Sequence, residues 1–160
     1  MGKVLLVGFK GKNNSSSMLV EQLSSDHVLL TNSFSRLKKD IESISTEYEC
    51  VLMFGVDKNL SSSVRIETCA GKDGETIESV LKTDTFAKAF AGEGILPVIS
   101  DKPTVYLCNE AYWYVLRKFS GRALFIHIPT IKYADEQFIG KVKHAFDAFL
   151  SGGKKPEMNR

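Results

Sequence analysis

Cys108, His127 and Glu67 are the side chains of this chain whose types and setting could do chemistry together. Cys108 follows Tyr106-Leu107 and opens an amphipathic segment running from Asn109 to Leu116. At a helix amino terminus, free backbone amides and the helix dipole favour a thiolate, lowering a thiol from its ordinary value of about 8.5. The same amides could receive an oxyanion. His127 stands 19 residues later, near the end of the otherwise apolar run Ala123 to Ile128 and just before Pro129, which stops strand pairing. A thiol beside an imidazole is an activated nucleophile. Such a pair needs a third group to fix the ring tautomer and support the imidazolium, and Glu67, between Ile66 and Thr68 in a mainly uncharged stretch, is the best candidate. The plain alternatives are a structural histidine and a buried inert cysteine; the second describes Cys50, which enters an apolar strand, while Cys69 fits neither description clearly.

Positioning these residues requires a sheet edge. Short runs rich in Val, Leu and Ile alternate with segments of helical period, which predicts an α/β domain with a mostly parallel open sheet in three layers, α/β/α, as a single domain over 1–150. Strands are expected at Lys3 to Gly8, His27 to Thr31, Cys50 to Gly55, Pro97 to Ser100 and Ala123 to Ile128. Helices are expected at Ser16 to Ser24, Ser35 to Ser45, Thr85 to Ala91, Cys108 to Phe119 and Ala134 to Leu150. In this layout Cys108 and His127 follow or end two neighbouring strands, at the carboxyl edge where open sheets bind ligands. Two polar stretches, Lys10 to Ser17 and Val56 to Ile77, read as loops, and the polar tail 151–160 is expected to be disordered.

Composition removes several function classes. With 160 residues, 43% apolar and 25% charged, the chain is long enough for one real core. Its net charge of +2 comes from 21 basic and 19 acidic residues spread along the sequence, so no nucleic-acid or membrane partner is expected. The early apolar run Val4 to Val7 is too short for a signal peptide or a span. Three cysteines without a Cys-x-x-Cys spacing predict no metal site and a reducing, cytoplasmic setting.

The remaining motifs carry little. Gly8-Phe9-Lys10-Gly11-Lys12 has only two residues between its glycines and Asn13 after the lysine, so it fails as a phosphate-binding P-loop and reads as a turn and helix cap. His27 and His144 read as surface residues.

In the order Glu67, Cys108, His127, the sequence resembles the pyroglutamyl peptidase I (pyrrolidone-carboxylate peptidase) family, as a shortened and diverged member. The resemblance rests on Gly94-Ile95 to Ile99-Ser100, on Tyr106-Leu107-Cys108-Asn109 with Tyr112 and Leu116, on Phe125-Ile126-His127-Ile128-Pro129, and on Arg65-Ile66-Glu67 with Ala70. Val4 to Phe9 and Val51 to Gly55 resemble the family's first and third strands.

The resemblance implies a cytoplasmic cysteine exopeptidase that releases an N-terminal pyroglutamyl or related small acyl group from peptides blocked at that end. Cys108 is the implied nucleophile, His127 the proton carrier and Glu67 its orienting carboxylate. No cofactor is implied, and relatives often form homo-oligomers. Phe9 matches the first of two family phenylalanines that hold the substrate ring. Lys10-Gly11-Lys12 stands where the second belongs, and Phe54 is the aromatic expected to replace it. The loop that follows the glutamate in the family has no counterpart between Gly71 and Thr83. A non-catalytic binding or regulatory module that keeps the fold but has lost the substrate pocket is the alternative.

Overall fold

A computed structural model describes residues 2–24 and 26–151. The tail expected over 151–160 lies outside the described residues, apart from Ser151, which closes the last helix. In chain order the elements are β1 (Val4–Phe9), α1 (Ser15–Leu23), β2 (His27–Leu30), α2 (Phe34–Glu42), β3 (Cys50–Val56), β4 (Ser63–Glu67), β5 (Cys69–Lys72), β6 (Glu75–Glu78), α3 (Thr83–Gly92), β7 (Leu96–Ser100), α4 (Leu107–Lys118), β8 (Ala123–Ile128) and α5 (Glu136–Ser151).

The main sheet has the order β2-β1-β3-β8-β4-β7. Its first four strands are parallel, and the apolar sequences of β1, β3 and β8 suit strands covered on both faces. β4 runs antiparallel to β8, and β7 parallel to β4, so the last two strands are reversed. Helices cover both faces. Leu19 and Val20 of α1, Phe86 and Phe90 of α3, and Phe138, Val142 and Ala145 of α5 share one apolar cluster with Leu52, Phe54 and Ile126. Leu37 and Ile41 of α2 and Tyr112, Val115 and Leu116 of α4 share the other with Val51, Met53 and Phe125. The expected three-layer α/β/α domain with a mostly parallel open sheet is therefore the fold.

Two local expectations change. Val56 to Ile77 is not a loop: it supplies β4 and the hairpin β5–β6, whose turn at Asp73 and Gly74 has φ of 52° and 80°. These left-handed values suit an Asp-Gly pair in a two-residue hairpin. Nor are the strands before Cys108 and His127 neighbours. β4 lies between β7 and β8, and the reversed β7 delivers the chain away from the carboxyl edge, so residues 101–106 must carry it back to α4. The turn and cap reading of the first loop agrees with the structure: Asn14 Oδ1 accepts from the Ser16 amide at 2.9 Å at the start of α1.

Candidate active site

Strand alternation decides which side chains meet. Arg65 faces His127 and Glu67 faces Phe125 across the β4–β8 ladder, so all four project toward the α4 face, while Ile66 and Ile126 pack on the other. Glu67 is held from behind, where its carbonyl accepts from the Tyr112 hydroxyl at 2.8 Å. Cys108 sits in the first turn of α4, with Glu110 also there and Arg117 and Lys118 in the last turn, charges that suit the helix dipole. The adjacent Asn109 pins that turn to β5, accepting from the Gly71 amide at 3.0 Å and donating to the Gly71 carbonyl at 2.7 Å. Its side chain is thereby occupied and is not turned toward the thiol's chemistry.

Glu67, Cys108 and His127 line one cleft together with Cys69, Lys102, Pro103, Thr104, Asn109, Tyr112 and Phe125. His127 Nδ1 lies 3.3 Å from Glu67 Oε1. Gly55, next to last in β3, leaves room for the thiol and the Phe125 ring: a Cβ there would meet Phe125 Cζ at 2.6 Å and Cys108 Sγ at 3.0 Å. Pro103, from the segment that returns the chain to α4, packs against Gly71, and Cys69 Sγ donates to the Asp101 carbonyl at 3.2 Å.

Electrostatics bind the group together. Burial pushes the Glu67 carboxyl up, but His127 and Arg65, which both lie against its Oε1, outweigh burial and hold it below the ordinary carboxylate range. Asp57 is likewise held low, burial being outweighed by the Asn59 amide and Arg65. The Cys108 thiol behaves oppositely to the expectation drawn from its helix terminus. Burial, with Glu67 and Asp57 adding to it against Arg65, pushes it up to about 12. Desolvation disfavours the charged form more than the local cation supports it.

Phe54 corrects the expected pocket. Paired with Ile126 in the β3–β8 ladder, it faces away from Cys108 and lies buried among Phe86, Phe90, Val142 and Ala145, beneath α3 and α5. It therefore cannot wall a ring held at the thiol. Phe9 is buried on the correct face but stands one layer back, its ring 6.2 Å from that of Phe125, which stacks 4.8 Å from His127. The cleft wall is instead Phe125 and Tyr112, with Lys102 contributing a cation.

Arg65 and Asp57 complete the charged cluster, and the sequence assigned neither a role. Arg65 donates through Nε to Glu67 Oε1 at 2.8 Å and through Nη1 to Asp57, and its Nη2 lies 3.3 Å from His127 Nδ1. The alternation Val64-Arg65-Ile66-Glu67 is the signal that would have put Arg65 beside Glu67 on one strand face. Asp57, eight residues earlier and beyond the end of β3, offers no such signal.

No protein-family model and no curated protein matches the chain. Solved structures do. Pyroglutamyl peptidase I from Bacillus amyloliquefaciens superposes with a TM-score of 0.79 at 17% identity, covering 99% of this chain and 100% of that one. Pyrrolidone carboxyl peptidase from Thermococcus litoralis gives 0.72 at 19%, covering all of both chains. The enzyme from Thermus thermophilus gives 0.74 at 18%, covering 90% of this chain and 98% of that one. At these identities the likeness is one of fold: this chain has the architecture of pyroglutamyl peptidase I structures from end to end.

Proposed function

We propose that this protein is a cysteine exopeptidase that releases a pyroglutamyl or related small acyl group from the amino terminus of peptides, with Cys108 as nucleophile, His127 as proton carrier and Glu67 as the carboxylate that orients it. The observation that carries this reading is the convergence of the three side chains, from α4, β8 and β4, on one cleft. Likeness of fold to pyroglutamyl peptidases along the whole chain supports it.

In this reading the thiol is protonated at rest, since burial pushes it up to about 12. Sγ therefore bonds to the acyl carbon as its proton passes to His127 Nε2, while Nδ1–H donates to Glu67. Collapse of the tetrahedral oxyanion breaks the carbon–nitrogen bond, and His127 returns the proton to the departing amine. Water then attacks the thioester, His127 again taking the proton, and hydrolysis releases the acid and restores the thiol. Each step balances with water as the sole co-reactant. Phe125 and Tyr112, backed by Phe9, offer an apolar wall for a flat acyl group, and Lys102 favours one that carries a polar or anionic edge. A reducing cytoplasmic setting, peptide substrates blocked at the amino terminus and self-association as a homo-oligomer belong to the same reading.

The first test is hydrolysis of a fluorogenic pyroglutamyl amide under reducing conditions. Turnover that disappears in Cys108→Ala is expected; turnover that survives that change sinks the assignment.

One observation favours a second reading, a binding or regulatory module that keeps the fold without the chemistry: the raised thiol. It predicts no turnover of any small acyl amide. It also predicts that Cys108 alkylates no faster than a model thiol of the same pKa, and no slower when His127 is replaced by Gln.

A further inference from the structure

His127 meets two competing partners at one nitrogen. Its Nδ1 lies 3.3 Å from Glu67 Oε1 and 3.3 Å from Arg65 Nη2. In the neutral ring that nitrogen carries either a hydrogen or a lone pair, so it donates to Glu67 or accepts from Arg65 and never does both. A guanidinium has five N–H donors and no acceptor and stays charged at any working pH, so its bond to Nδ1 runs in one direction only.

Arg65 is also held in place. Asp57 takes Nη1 and Glu67 takes Nε, and the side chain is only 27% exposed. The planar fork is thus fixed at one edge by two carboxylates while it aims its remaining nitrogen at the ring. Asp57 anchors the guanidinium from beyond the end of β3, and Glu67 shares a single oxygen between the arginine and the histidine.

The consequence falls on the opposite side of the imidazole. With hydrogen on Nδ1, Nε2 is bare and can receive a proton. With Nδ1 bare and bonded to Arg65, the hydrogen sits on Nε2, and that nitrogen has no lone pair for a thiol. We propose that Arg65 is a positioning residue that selects the tautomer of His127, keeping the free protein mainly in the Nε2–H form, in which Cys108 has no base. Replacement of the Arg65 contact by the Nδ1–H bond to Glu67 arms the site. The regulatory meaning rests on the cysteine-peptidase reading above; the tautomer preference itself does not.

Ring-nitrogen NMR of uniformly 15N-labelled protein, at a pH where the ring is neutral, reads the tautomer directly, and His127 signals are identified by their loss in His127→Gln. The expected result is a predominantly Nε2–H ring in the native protein. In Arg65→Gln the ratio of Nε2–H to Nδ1–H falls by about tenfold, the equivalent of one charge-assisted hydrogen bond. Arg65→Lys gives the same direction, because a compact ammonium cannot hold two carboxylates and a ring nitrogen together, and it serves if the glutamine variant fails to fold. A native ring already in the Nδ1–H form, or a ratio unmoved by both substitutions, overturns the proposal. Failure of the peptidase reading looks different: no turnover, or turnover surviving Cys108→Ala, while the tautomer ratio still follows residue 65.

Discussion

Glu67 is the one acidic residue that is buried among the described residues, and it remains charged because Arg65 and His127 lie against it. That has a pH consequence. A carboxyl held below its unfolded value contributes stability that is complete above the ordinary carboxylate range of about 4 and is lost as pH falls through the folded value. Glu67 and Asp57 are both shifted this way, so thermal stability should fall on acidification below about pH 4. Melting curves recorded against pH should show a shallower acid slope for Glu67→Gln than for the native protein. In the catalytic reading the same substitution keeps the side chain's shape but removes its charge, and turnover of a pyroglutamyl amide should drop by about a hundredfold or more. At this scale the apolar surroundings of Cys108, His127 and Glu67 singled them out in the sequence, and the structure brings the three to one cleft. It was silent on Asp57, because a carboxylate beyond a strand end looks like any solvated loop residue until Arg65 is seen to reach it. It misled on Phe54, since membership of an apolar strand says nothing of which face a residue takes.

Elements explain why those side chains meet. β3 carries Gly55 next to its last residue because the thiol and the Phe125 ring both need the space a methyl would fill. Gly55→Ala should therefore cost about 1–3 kcal/mol of stability through overpacking, and it should slow alkylation of Cys108 by iodoacetamide; unchanged melting and alkylation would contradict the close approach. The parallel half of the sheet and all five helices were legible from period and composition, with boundaries shifted by a few residues. β4 was not, because Arg65 and Glu67 break the apolar run that marked the other strands, although Val64 and Ile66 are both fully buried. The hairpin β5–β6 was signalled by Asp73-Gly74 alone, and its exposed outer strand, Glu75–Glu78, lacks the alternation that would have confirmed it.

The whole molecule divides its labour between the two faces of one sheet. One apolar layer, beneath α1, α3 and α5, is structural; the other, beneath α2 and α4, carries the cleft at its rim. Phe54→Ala should accordingly cost about 3–5 kcal/mol, as a large core truncation does, yet leave the KM for a small acyl amide unchanged. A raised KM with unaltered stability would return Phe54 to the substrate. The reversed pair β4 and β7 also has a temporal consequence. Arg65 and Glu67 are borne by a strand whose outer neighbour is the sheet's last, with Leu96 63% exposed, so this edge is bonded on one side only. Edge strands open more readily than central ones, at free energies below that of global unfolding. The lifetime of the assembled charge cluster is then set by the fraying of two strands, and amide exchange across residues 63–67 should outpace that of β1 and β3, with the site dissolving and reforming many times within the life of a single folded molecule.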